Sequence, residues 1–124
     1  MPIIFEKVYT IQKAKENPNT IYVFEDNLAG WGKNGQSIIR GMSNAYGIQT
    51  RKSPYDCFSD EEFEKVKCLI DLRIKGIEDM LKSGRVVVFP EDGIGTGKDD
   101  IQWKAPKVFR YLNNKLIKLV DDYR

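Results

Sequence analysis

The sequence contains no histidine, only two cysteines and no apolar run as long as a membrane span. Without histidine, every catalytic arrangement that needs an imidazole is excluded, so a general acid or base has to be a carboxylate, lysine, tyrosine or cysteine. Cys57 and Cys68 are not at a metal-ligand spacing. We therefore predict no metal site and no cofactor.

An excess of charge of one sign is also absent. The chain has 20 basic and 18 acidic residues, mixed along its length, for a formal charge of +2, which argues against a nucleic-acid surface. The 124 residues predict a single domain, 1–124, with a stable core. The N-terminal stretch lacks the basic flank and the apolar length of a secretory signal, so we expect a cytoplasmic protein without a membrane partner. The oligomeric state stays open.

One stretch, VVVFPEDGIGTGKDDIQW at residues 86–103, organises the chain. Residues 86–89 are apolar and β-branched enough to form a buried parallel strand, which ends at Pro90. Gly93, Gly95 and Gly97 then alternate with other residues, so the backbone can turn sharply and approach a ligand. Glycine-rich loops at the carboxyl ends of such strands are typical of anion or phosphate sites, whereas an ordinary turn needs fewer glycines.

A second glycine-rich loop follows a second apolar strand. Residues 21–24 predict the strand, and DNLAGWGKNGQS comes directly after it. Apolar residues at helical spacing then predict a helix over 36–46, with Gly47 as its C-cap. This loop is neither a Walker loop nor a dinucleotide fingerprint, and alone it can equally be a connection without function.

The remaining pattern predicts strands at 3–9 and 48–50, a short polar helix or loop at 12–16 and two amphipathic helices. The first amphipathic helix follows a Ser59–Glu62 capping box and ends at 82–84, and the second begins near Pro106. This order predicts a three-layer α/β/α sandwich around a mostly parallel, Rossmann-like sheet. Both glycine loops are then at one edge of the sheet and form a groove as long as a nucleotide diphosphate.

The two loops resemble those of macrodomains, the ADP-ribose-binding modules. PEDGIGTGKDDIQW resembles their second phosphate loop, closest to the branch of the terminal ADP-ribose protein glycohydrolase, and DNLAGWGKNGQSIIRGMSNAYG resembles their first loop and helix. The resemblance implies that ADP-ribose or a related nucleotide is bound, with an aspartate at Asp99 and a lysine at Lys52 as catalytic candidates. A nucleophilic lysine has to be partly neutral, which requires burial or a cationic neighbour; otherwise Lys52 is a surface charge.

Other residues of the loops are candidates for binding the ligand. Asp26 and Asn27 can bind ribose or adenine, although Asn27 can instead form a turn, and Glu91 and Asp92 can act as bases or bind sugar hydroxyls. Trp31 and Trp103 can stack on a base, although Trp103 fits core packing better. The predicted binding set comprises Asp26, Asn27, Gly30, Gly32, Lys33, Asn34, Gly35, Gln36, Glu91, Asp92, Gly93, Ile94, Gly95, Thr96, Gly97 and Lys98, of which Lys33 and Lys98 can equally be solvated.

Three functions stay open at this point. The chain can hydrolyse an ADP-ribosyl or O-acyl-ADP-ribose linkage, can bind a nucleotide signal without chemistry, or can contact a protein partner through its loops. A size of 124 residues also suits a phage protein that acts on a host nucleotide signal.

Overall fold

The computed structural model describes residues 2–124 and contains one five-stranded sheet. The strands are β1 (Ile3–Glu6), β2 (Ile21–Asn27), β3 (Ala45–Ser53), β4 (Asp56–Cys57) and β5 (Val87–Pro90), in the order β1-β5-β2-β3-β4. All neighbouring strands are parallel except β3 and β4, which are antiparallel. The predicted α/β class with a mostly parallel sheet is therefore confirmed.

The helices are α1 (Ile11–Glu16), α2 (Phe63–Lys82), α3 (Ile101–Lys104) and α4 (Pro106–Tyr123), with 3-10 segments at Gly35–Ile39 and Asp60–Glu62. The predicted capping box precedes α2: both the backbone amide and the hydroxyl of Ser59 lie within hydrogen-bond distance of Glu62 Oε1. Among residues 2–124, no helix has the length and apolar character needed to cross a membrane.

Helices cover the two faces of the sheet unequally. On one face, α2 and α4 bury Ile77 and Leu112 against Val23 and Val87. On the other face, α1 and the 3-10 segment Gly35–Ile39 cover a smaller cluster that includes Tyr9, Tyr22 and Val88. Most of the apolar surface is therefore buried under the two amphipathic helices.

The predicted helix over 36–46 is wrong. Only a 3-10 turn forms, and the chain enters β3 at Ala45, because Gly41 has a φ of +91° that a continuous helix cannot accommodate. Gly47 lies inside β3 and is not a C-cap. A Cβ atom on Gly47 would lie 2.4 Å from Oδ2 of Asp26 on β2, so the glycine permits two strands to approach around a polar side chain.

The sheet opens between β2 and β5. These strands pair only where Ile21 and Tyr22 oppose Val87 and Val88, and beyond that point they separate. The hydroxyl of Tyr9 lies in the gap, 2.6 Å from the carbonyl oxygen of Val23. The segment after β2 leads to one face and the helices after β5 lead to the other. Ligands of open α/β sheets bind at such a topological switch point.

Candidate functional site

A row of neighbouring cavities lies along the carboxyl edge of the sheet. It consists of three adjoining cavities of about 400, 220 and 480 Å³, which we name the Tyr9, Trp31 and Cys57 cavities after one lining residue of each. The Tyr9 and Trp31 cavities share Glu25, and the Trp31 and Cys57 cavities share Arg51. We refer to the three together as the carboxyl-edge groove.

The carboxyl groups of Glu25 and Asp100 and the guanidinium of Arg51 are neighbours at this edge of the sheet; Asp100 is buried, whereas Glu25 is partly exposed and lines two of the cavities. Glu25, near the end of β2, accepts a hydrogen bond from the amide of Gly95, and Asp100, only 1% exposed, follows the second glycine loop. Burial, followed by the neighbouring carboxyl group of Asp100, raises the pKa of Glu25 to about 8. Arg51 Nη2 lies 3.3 Å from Oδ2 of Asp100 and partly offsets this charge. The raised pKa favours the protonated form of Glu25 at neutral pH.

Asp26 points to the other face and is engaged within the protein. Its carboxylate pairs with Arg40 and accepts a hydrogen bond from Nε2 of Gln49 at 2.9 Å. Arg40 in turn donates to the carbonyl of Gly32 at 2.8 Å. This network fixes the first glycine loop against the sheet, so the predicted ribose contact of Asp26 is confined to the part of its surface that lines the Trp31 cavity.

Asn27 and Gln36 also have structural partners. Asn27 accepts from the amide of Gly30 at 2.8 Å and donates to the carbonyl of Trp31 at 3.0 Å, the turn-forming alternative for this residue. Gln36 accepts from the amide of Glu25 at 2.9 Å and donates to the carbonyl of Gly93 at 3.0 Å. The side chain of Gln36 thus connects the two glycine loops across the gap in the sheet.

Many backbone amides of the loops are free to bind an anion. Within the part of the chain that the structure describes, the amides of residues 31–36 have no hydrogen-bond acceptor, and neither do those of Ile94, Thr96 and Gly97. Gly95 differs from the predicted role because its amide donates to Glu25 and is not available to a phosphate.

Gly95 packs so closely that no other residue fits without a shift. Its φ is +78°, and an added Cβ would lie 2.7 Å from Cγ1 of the fully buried Ile101. We expect Gly95→Ala to lower the free energy of unfolding by about 2 kcal/mol in urea titrations, through backbone strain and overpacking. Gly30→Ala is the matched control, because Gly30 has a φ of +76° but no atom within 4 Å of an added Cβ. Equal losses for the two variants would contradict the packing argument.

The two residues predicted as catalytic lie apart from Glu25. Asp99 is exposed and lines the Cys57 cavity with Arg51. Lys52 is partly exposed and lies 3.0 Å from Oε1 of Glu62. Its hydrogen bond with Glu62 raises the pKa of Lys52, so Lys52 satisfies neither condition for a neutral nucleophile.

The other predicted binding residues divide into groove residues and residues outside it. Asn34, Gly35, Gln36 and Asp92 line the Tyr9 cavity, and Gly32 lines the Trp31 cavity. Gly93, Ile94 and Thr96 border a separate apolar cleft of about 300 Å³ beside α4. The side chains of Lys33, Glu91 and Lys98 are exposed and line none of these cavities. Trp103 is 67% exposed, so its predicted core packing is wrong.

Sequence reasoning missed Glu25 and Asp100 and treated Arg51 only as a neighbour of Lys52. One signal for Glu25 was present, since an acidic residue directly follows four apolar residues of a buried strand. Nothing in the sequence pairs it with Asp100, which is 75 positions away and reaches it only through the second glycine loop.

The fold and the groove define an α/β protein with a ligand-sized groove at the switch point of a mostly parallel sheet. Residues 4–115 match the model of a family described as a family of unknown function (DUF7831), and the chain belongs to that family. Among curated proteins and among solved structures, no similar chain was found.

Proposed function

We propose that this protein binds ADP-ribose or a related nucleotide diphosphate in the carboxyl-edge groove, in a macrodomain-like manner. The observation that carries the proposal is the set of free amides on both glycine loops at the switch point of the sheet. Backbone amides without an acceptor in the protein suit the oxygens of a diphosphate. The amides of residues 31–36 and of Ile94, Thr96 and Gly97 are the proposed phosphate contacts.

The charge of the groove is compatible with a diphosphate. Lys7 lines the Tyr9 cavity and Lys104 lines the Cys57 cavity, and both supply cations, whereas the charge of Arg51 compensates Asp100. Asp26 is neutralised by Arg40. With its pKa at about 8, Glu25 is mostly protonated at neutral pH and does not repel phosphate.

We assign the nucleobase of the ligand to an exposed pair of aromatic residues, Trp31 and Tyr55. Trp31 is 50% exposed and Tyr55 is 86% exposed, and their ring centroids are 5.7 Å apart in an edge-to-face arrangement. Trp31 lines the Trp31 cavity and Tyr55 lines the adjoining Cys57 cavity. Aromatic rings that stay in water beside a polar groove suit stacking on a nucleobase, which contributes about 1–3 kcal/mol per base.

Thermal unfolding with ADP-ribose tests the proposal, with AMP, NAD and cyclic dinucleotides as comparators. Ligand at a hundredfold excess over its dissociation constant should add about 2.7 kcal/mol to the stability. Trp31→Ala should weaken ADP-ribose binding at least fivefold and leave ribose 5-phosphate binding unchanged, whereas Trp103→Ala, at the other exposed tryptophan, should change neither. If no nucleotide stabilises the protein, the proposal fails and a protein-contact role for the loops is favoured.

A further inference from the structure

The outer edge of β1 is open along its length. β1 and β4 are the outermost strands of the sheet, and among residues 2–124 β1 pairs only with β5. The carbonyl oxygens of Pro2 and Glu6 each accept a hydrogen bond, at 2.8 Å, from an amide in or directly after β5. Because hydrogen-bonding residues alternate along a strand, the amides and carbonyls of Ile3 and Phe5 point away from β5. An open edge of this kind is a template for another strand.

The two edges of the sheet differ in how they discourage such pairing. β4 has only two residues, and one of them, Asp56, is exposed and charged, which are features that protect an edge. β1 has four residues, and its one charged side chain, Glu6, is already paired, with Nζ of Lys13 2.7 Å from its Oε1. The side chains of β1 therefore present no free charge to an approaching strand.

Exposed apolar side chains are concentrated at the edge formed by β1. Of the ten large apolar side chains that are exposed among residues 2–124, four fall within positions 4–11, and a fifth, Ile117, lies on α4. Ile117 borders the apolar cleft together with Phe5, so these two side chains extend the edge on the α4 face. Ile4 is 42% exposed and points to the other face, because successive side chains of a strand alternate. Apolar surface on both faces of an open strand indicates an interaction surface.

We propose that β1 pairs with β1 of a second copy of this chain, antiparallel about a two-fold axis at Ile4. In this register Ile4 opposes Ile4 of the second copy and Ile3 opposes its Phe5, so the outward amides and carbonyls of both chains pair with each other. Every opposed pair is apolar, and the two sheets join into one. A two-fold interface closes on itself and gives a dimer, not a fibre. The contact requires no nucleotide.

The extent of the apolar surface favours a second copy over a single peptide strand. A specific dimer buries about 800 Å² on each partner, which is more than a four-residue strand edge covers alone. A second copy joined at β1 also brings its own α4 to the same face of the joined sheet. Ile117 and the apolar cleft are then covered together with the strand edge, whereas a lone strand would leave them in water.

Sedimentation of the full chain from micromolar to near-millimolar concentration tests the proposal. The wild type should reach twice the 14.3 kDa mass of the chain. Ile4→Lys and Ile4→Glu should each raise the dissociation constant of the dimer at least about a hundredfold, because the two-fold axis places like charges directly opposite each other. An equal mixture of the two variants should recover the dimer, since opposite charges then face each other. Leu72→Lys, at an exposed leucine of α2, is the matched control and should leave the dimer unchanged.

The other outcomes each contradict a distinct part of the proposal. A wild type that stays monomeric throughout this range would overturn the dimer and leave the edge to a strand of a different protein. A dimer that persists in Ile4→Lys would overturn β1 as the interface, and a mixture that stays monomeric would overturn the register about Ile4. If the charged variants do not fold, hydrogen exchange of the wild type decides. The amides of Ile3 and Phe5 should exchange more slowly at high than at low protein concentration, and equal rates would contradict a paired edge.

Discussion

Replacing Arg51 with methionine should lower the free energy of unfolding by about 3 kcal/mol at pH 7. Asp100 is 1% exposed, and the guanidinium of Arg51, 3.3 Å from its Oδ2, is the cation that compensates its charge. Without it, the charge of Asp100 is left uncompensated in a buried site, which costs stability. Urea titrations of both proteins measure the difference.

The adjacent residue provides the control. Lys52 is also a cation on β3, but its pair with Glu62 is exposed, so Lys52→Met should leave the stability nearly unchanged. Adding Asp100→Asn to Arg51→Met should restore part of the loss, because the uncompensated charge is then removed. Equal losses of stability for Arg51→Met and Lys52→Met would contradict a buried Arg51–Asp100 pair. So would the absence of any recovery when Asp100→Asn is added to Arg51→Met.

The stability of the wild-type protein should fall between pH 5 and pH 9 through Glu25. Its pKa is about 8 in the folded protein and near 4.5 in the unfolded chain, so the folded state binds the extra proton between these values. The contribution of Glu25 to stability is complete below the pKa of the unfolded chain. It decreases as the pH rises and is lost above the pKa of the folded protein. At about 1.4 kcal/mol per pKa unit, the upper limit of the change is several kcal/mol.

Glu25→Gln removes this titration. Its free energy of unfolding should change much less over the same range, so that its stability relative to the wild type rises with pH. The absence of histidine helps the measurement, because no imidazole titrates in this window. Glu61→Gln, at an exposed site, should run parallel to the wild type. If Glu25→Gln also runs parallel, Glu25 is ionised in the folded protein and the account of the site is wrong.

Local patterns predicted most of the elements of the fold. The apolar runs at β2 and β5 and the three-and-four spacing along α2 and α4 depend on periodicity, which the sequence displays directly. The prediction of a helix over 36–46 failed for two reasons. Ile38, Ile39 and Met42 have helical spacing, but Gly41 ends the helical turn with a positive φ. The residues from Ala45 onwards pair with β2. Sheet pairing is a tertiary effect that local spacing does not report.

The site was less predictable than the fold. The glycine loops and the edge at which they meet follow from the order of strands and loops, and both border the groove. The proximity of Glu25 and Asp100 depends on how the loop after β5 folds back onto β2. The residue types at these two positions do not reveal that contact. Trp103 shows the same limit, since an aromatic residue beside a glycine loop can face either the core or the solvent, and here it faces the solvent.

The most direct test of nucleotide binding in the carboxyl-edge groove is an ADP-ribose titration of ¹⁵N-labelled protein followed by amide NMR spectra. The account predicts saturable shifts at the amides of residues 31–36 and of Ile94, Thr96 and Gly97, the groups free to donate to phosphate. Unchanged spectra at millimolar ligand, or shifts confined to the α4 residues of the apolar cleft, such as Asn113 and Leu116, would contradict it.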